Sequence, residues 1–259
     1  MRRLRPFVIV LLVTLTVPAF AASDRQPAPA GAPVNAPPQY TAFTSQDLIR
    51  GFMALAFGAD LRVGMKPKGI RRFDRAVTVF IDSTGSVDRR TAMRSIVEEY
   101  GRSIPHLAVS LIANEDDADI IVHLIDEKDF ESALVRAFGV KTARAFVART
   151  DPQCMTSVRS RSDGVIVTST SFIIADKGDR VFLDCAYHEL LHAFGLSNHD
   201  QHNPWTMLNQ HRSVGYLDVY DRALLTLLYD PRLAPGMSRG AVRKRLPGLI
   251  ASLGLARGP

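Results

Sequence analysis

An α+β domain built round a small mixed sheet is the fold this sequence predicts, and three observations predict it. Short β-branched runs and amphipathic stretches of helical spacing are interspersed along the chain without the strict alternation of an all-parallel architecture. Two strand-like runs, "CMTSVRSR" and "GVIVTSTSFII", are joined by the turn "SDG". The pattern His-Glu-x-x-His, in "CAYHELLHAFGLSNHD" at 185–200, falls in a segment of helical periodicity, so one helix is placed to carry chemistry.

The elements follow in order. Residues 1–22 read as a secretory signal peptide: Arg2, Arg3 and Arg5, an apolar run from Phe7, then the small-residue site Ala19-Phe20-Ala21. Residues 23–39, "SDRQPAPAGAPVNAPPQ", are rich in Pro, Ala and Gly and read as an extended linker. The folded domain is expected over 40–259, with no second linker and no internal repeat. A first helix has Ser45 as N-cap and apolar Leu48, Phe52, Leu55 and Ala56. A strand at 76–82 and an amphipathic helix at 86–104 come next. Two runs at 108–114 and 118–126, separated by the acidic turn "EDD", fit two neighbouring strands. A helix over 128–139 precedes the strands at 154–161 and 164–174. The helix of the motif is expected from about Arg180 to Phe194, with Gly195 as its stop. Two helices close the domain, the second, "RGAVRKRLPGLIASLG", interrupted by Pro247.

Charge and cysteine content exclude several function classes. The formal net charge is +6, with basic runs "KPKGIRR" at 66–72 and "RGAVRKR" at 239–245. No nucleic-acid recognition motif accompanies them, and export argues against such a partner, so they read as a solvated basic face. Leu246, Leu249, Ile250 and Leu253 on the last helix read as a stripe that packs on the domain, and no stable membrane insertion is expected after signal cleavage. The two cysteines, Cys154 and Cys185, are most simply a disulfide stapling a strand to the motif helix in an oxidising compartment. The alternative places Cys185 at a metal, one turn before His188. The lack of a C-x-x-C pair and the distance between the two cysteines in the sequence argue against thiol redox chemistry.

His188 and His192 are four residues apart, so on a helix they project from one face about 6 Å apart along the axis and can share one ion. Glu189 sits one step round the helix, which suits it to act as a general base on a water at the metal. Of the seven histidines, five fall between 188 and 211, two of them being the motif itself. Gly195 is placed to turn the chain back towards the metal.

"HELLHAFGLSNHD" followed by "PWTML" resembles the metzincin pattern of zinc peptidases, H-E-x-x-H-x-x-G-x-x-H with a later Met-turn, over roughly residues 185–210. The resemblance implies a zincin-like domain in which His188 and His192 bind Zn2+, Glu189 is the catalytic glutamate, Gly195 the turn glycine and Met207 the Met-turn methionine. The sequence departs from the pattern at Asn198, which stands where the third histidine belongs. His199 serves as third ligand if the loop after Gly195 is one residue longer; Asp200, Asn198, His202 or no third ligand at all are the alternatives. The segment from Cys185 through "DRALLTLLYDPRLAPGM" also resembles a family of exported bacterial proteins of uncharacterised function, many of which read Glu-Glu-x-x-Gln at the motif.

The expected function is therefore a secreted or periplasmic zinc metallopeptidase acting on a peptide or protein substrate. The metal ligands would be His188, His192 and His199, and the catalytic residue Glu189. The alternative is a non-catalytic envelope binding protein on the same fold, with or without structural zinc, favoured by a closed four-ligand site that includes His202. "TSTS" at 168–171 lies in a strand that would accept a substrate peptide if it formed the sheet edge, and would otherwise face solvent.

Overall fold

The computed structural model describes residues 43–58, 68–150 and 152–256; the expected signal peptide, the linker and the first residues assigned to the domain lie outside the described residues. Among the described residues there are seven α-helices and a sheet of five strands, an α+β arrangement. The helices are α1 (Ser45–Phe57), α2 (Arg90–Ser103), α3 (Glu127–Phe138), α4 (Val140–Thr150), α5 (Asp179–Ala193), α6 (Val219–Tyr229) and α7 (Arg239–Leu253). The strands are β1 (Val77–Ser83), β2 (Val109–Leu111), β3 (Ile120–Ile125), β4 (Cys154–Ser160) and β5 (Ile166–Ile174), in the order β2-β1-β3-β5-β4. Neighbours are parallel except β4, which runs antiparallel to β5 at the sheet edge.

This order corrects the expectation that the runs either side of "EDD" are neighbours. β1 lies between them, pairing with β2 through Val77–Val79 and with β3 through Val79–Ser83. Residues 115–117 form a 3-10 turn capped by Asn114, and the Asp119 carboxylate then takes the Thr78 backbone N–H at 2.9 Å and pairs with Arg75. Those bonds carry the chain across β1, where a hairpin turn would have folded it back.

Side chains alternate across the sheet and build two cores. Val79, Ile120, Val122, Leu124 and Ile173 join α2, α5 and α6 in the larger one. Ile125, Phe172 and Ile174 face the other way, against Phe130, Ala133 and Leu134 of α3 and Ala143 of α4. α4 is an element that periodicity did not reveal.

Three further readings are corrected. Thr44, not Ser45, caps α1: its hydroxyl accepts from Asp47 N–H at 3.2 Å, and the Asp47 carboxylate accepts from Thr44 N–H at 2.9 Å, a complete capping box. Pro247 does not interrupt α7, since it lies on the exposed face with Arg243, whose carbonyl loses only a partner that water can replace. Arg72 is no part of a solvated basic face, because it donates to the carbonyls of Leu228, Asp230 and Leu233 at 2.9 to 3.2 Å and closes the C-terminal end of α6. By contrast, Arg243, Lys244 and Arg245 are exposed, while Leu246, Leu249 and Ile250 are buried and Leu253 is partly so. No helix among the described residues is long and apolar enough to cross a membrane.

Candidate metal centre

α5 carries the motif and is held from both sides. Tyr100 donates its hydroxyl to the Tyr187 carbonyl at 2.7 Å, and Tyr187 donates its own to Glu99 at 2.6 Å, fixing the helix to α2. From the sheet, Ser169 donates to the Ala193 carbonyl at 2.9 Å and Thr156 to the Glu189 carbonyl at 3.2 Å. Cys154 and Cys185 form a disulfide, with Cα atoms 5.8 Å apart, that ties β4 to α5 one turn before His188. Cys185 is therefore not a metal ligand.

These contacts correct the reading of "TSTS". β5 is paired on both sides, so it is not the edge, and Ser169 and Ser171 are fully buried beneath α5 instead of facing solvent. The edge strand on the β5 side of the sheet is β4.

After α5 the chain turns at Gly195, whose φ is +120°. A Cβ there would stand 2.2 Å from the Arg71 carbonyl oxygen, so glycine is required on both conformational and steric grounds. The next residues run against α1: Ser197 N–H donates to the Leu55 carbonyl at 3.0 Å, and the Asn198 side chain donates to the Ala54 carbonyl at 3.2 Å. Asn198 is thereby spent on the C-terminal end of α1, and His199 swings towards α5.

His188, His192 and His199 converge. Their Nε2 atoms lie 2.8 Å (188 to 199), 3.2 Å (188 to 192) and 3.3 Å (192 to 199) apart. Asp200 and His202 are not in the group; the backbone N–H of His202 faces an Asp200 carboxylate oxygen at 3.3 Å.

The outer ring nitrogens decide what the inner ones can do. His188 Nδ1 lies 3.2 Å from the Met207 carbonyl and His192 Nδ1 2.5 Å from the Leu196 carbonyl. A carbonyl oxygen only accepts, so both Nδ1 atoms carry a proton, and the tautomer this selects turns an Nε2 lone pair inward. Burial, with His199 adding to it against the Leu196 carbonyl, pushes the His192 imidazole down to about 3 and keeps it neutral. Lone pairs facing one another at these distances repel unless a cation lies between them. Three nitrogens on a tetrahedral ion with bonds of about 2.05 Å would be separated by about 3.3 Å, close to the spacing found. Three imidazoles and no carboxylate fit zinc or a neighbouring transition metal, and fit calcium or magnesium poorly.

A turn behind the three histidines completes the arrangement. Met207 is buried, and its backbone N–H donates to Asp221 of α6 at 2.8 Å, so that its carbonyl can face His188. Thr206 donates to the other Asp221 oxygen at 2.5 Å and accepts from Leu208 N–H at 3.1 Å. Sequence reasoning missed Asp221; the available signal was an acid amid the apolar residues of "YLDVYDRALLTLLY".

The family described as Protein of unknown function (DUF2927) matches residues 45–248, four-fifths of the chain. The chain belongs to that family. No curated protein and no solved structure matches. The DUF2927 match begins at the first residue of α1 and ends inside α7, so it contains His188, Glu189, His192, His199, Met207 and Asp221. For this DUF2927 member the clustered histidines, rather than any relative, carry the functional argument.

Proposed function

We propose that this protein is an exported zinc-dependent peptidase of metzincin-like build, with Zn2+ held by His188, His192 and His199. The observation that carries the reading is the inward aim of three imidazole Nε2 atoms whose two helix-borne members are fixed by Nδ1–H bonds to backbone carbonyls. Zinc, when bound, supplies a Lewis acid that acidifies a water and polarises a peptide carbonyl. Glu189, on the same helix and nine-tenths buried or more, would serve as the general base to the attacking water and would return the proton to the leaving amine. β4, the edge strand stapled to α5 beside the site, offers backbone groups with which an extended substrate would pair. Export is supported by the amino-terminal sequence pattern and by the disulfide.

The test is metal content by mass spectrometry on untagged protein starting at Ser23, purified without chelator, beside His192→Ala and His199→Ala. About one zinc per chain, lost in both variants, is expected from a three-ligand site. A metal-free parent overturns the reading. Peptide-library cleavage by the parent, lost in Glu189→Gln at unchanged zinc content, then separates a peptidase from a protein that only binds.

A further inference from the structure

A second group of polar side chains lies on the opposite face of the sheet from α5. Strand register puts Asp82, His123 and Phe172 in one row across β1, β3 and β5. His123 Nδ1 donates to Asp82 Oδ2 at 3.0 Å, and its ring stacks on Phe172 with centroids 4.8 Å apart and planes 20° from parallel. The imidazole is thus held at one nitrogen and one face, which leaves Nε2 fixed in direction. Beside it is a cleft of about 380 Å³ lined by Thr84, Ile125, Ala133, Arg136 and Ala137 with the three row residues.

Two features distinguish this cleft from a surface irregularity. It lies towards the carboxyl ends of parallel strands, where sheets of this kind leave a crevice that helices do not cover. On α3, Ala133 and Ala137 are one turn apart, and these short side chains keep open a space that larger ones would fill. Its wall is apolar through Ile125, Phe172 and the two alanines. Its one cation, Arg136, is exposed, donates to Ser132 Oγ at 3.2 Å and pairs with no carboxylate among the described residues.

We propose that this cleft binds a small organic acid, a carboxylate or phosphate on an apolar body about the size of one ring. Arg136 takes the anionic group and the body rests on Phe172 and Ile125, while His123 Nε2, in the tautomer whose Nδ1–H donates to Asp82, is left to accept a hydrogen bond from a hydroxyl on the ligand. Asp82 is a positioning residue that sets the tautomer of His123. The site shares no side chain with the histidine cluster and does not depend on the zinc reading.

The test is a titration of 15N-labelled protein starting at Ser23 with benzoate, phenyl phosphate, inorganic phosphate and benzylamine, followed by two-dimensional NMR. Saturable shifts of the His123 and Arg136 signals with benzoate or phenyl phosphate are expected, and the stronger of the two identifies the head group. Arg136→Gln, an exposed change, should weaken binding at least tenfold, whereas Arg144→Gln on α4 should leave it unaltered. Three results would overturn the proposal: no saturable shift with either aromatic acid, an equal response to benzylamine or to inorganic phosphate, or undiminished binding in Arg136→Gln.

Discussion

Asn198 and His199 are adjacent in the chain and point opposite ways, because the backbone between Gly195 and His199 is bonded to α1. Asn198 donates to the Ala54 carbonyl at the end of that helix, and His199 is left to face α5. Asn198→Ala should therefore keep the full metal complement and lose about 1 kcal/mol of stability, the usual worth of one partly buried hydrogen bond. Metal analysis beside a urea melt checks both parts. Asp221 acts at one remove, since it holds the Met207 turn whose carbonyl orients His188. Asp221→Asn is expected to weaken zinc binding by roughly 10–100-fold, measured by competition with a chromogenic chelator. The same carboxyl has a pH signature. Burial raises it to about 7, against the pull of Met207 N–H and Thr206. Between about pH 4 and 7 the native state thus holds a proton that the unfolded chain has released, and this group's contribution to stability falls as pH rises. Metal-free Asp221→Asn lacks that slope, so its unfolding midpoint should gain on the parent's between about pH 4.5 and 7.5. A constant difference across that range would show that Asp221 is ionised throughout.

At the scale of elements, the decisive joint is between β4 and α5. The Cys154–Cys185 disulfide closes a loop of 31 residues, and Thr156 of the same strand bonds the Glu189 carbonyl. Replacing both cysteines with serine should cost about 3–4 kcal/mol by loop entropy, read as a lower guanidinium midpoint, and should free the edge strand from the helix that bears the ligands. Much of this was legible in the sequence. α1, β1 and α2 bury residues at regular spacing, α6 is buried almost all round and shows as an apolar run, and the C-terminal end of α5 follows from local chemistry, with Gly195 just beyond it. The order of β2, β1 and β3 was not legible, because it depends on Asp119 bonding to Thr78, a pairing of residues far apart in the chain. α4 escaped because Gly139, with φ +80°, is a true stop for α3, and the stretch after it is mostly exposed. That His188 and His192 share one face was legible for the same local reason as α5. Which later residue joins them was not decided by spacing alone, since the place of His199 depends on where α1 lies.

Seen as a whole molecule, the histidine cluster joins parts that the sheet does not connect. His188 and His192 belong to α5; His199 belongs to the loop that leans on α1; and the Met207 turn behind His188 is held by α6. β1, β3 and the second core under α3 and α4 contribute nothing to the cluster. A metal bound there stabilises only the native state. At a free concentration of a hundred times the dissociation constant it adds about 2.7 kcal/mol. For a domain of this size that corresponds to roughly 5–10 °C in the unfolding midpoint. Chelation should therefore lower the midpoint by that order, and the loosening should be uneven. Hydrogen exchange should speed up in residues 196–209 and at the C-terminal turn of α5, while amides of β1, β3 and α3 keep their protection, because their hydrogen bonds and packing do not pass through the ligands. Uniform acceleration over the sheet would mean that the metal holds the entire fold, as in a small structural zinc domain. No change at 196–209 would mean that the loop is fixed by Ser197 and Asn198 alone, and that His199 does not bind the ion.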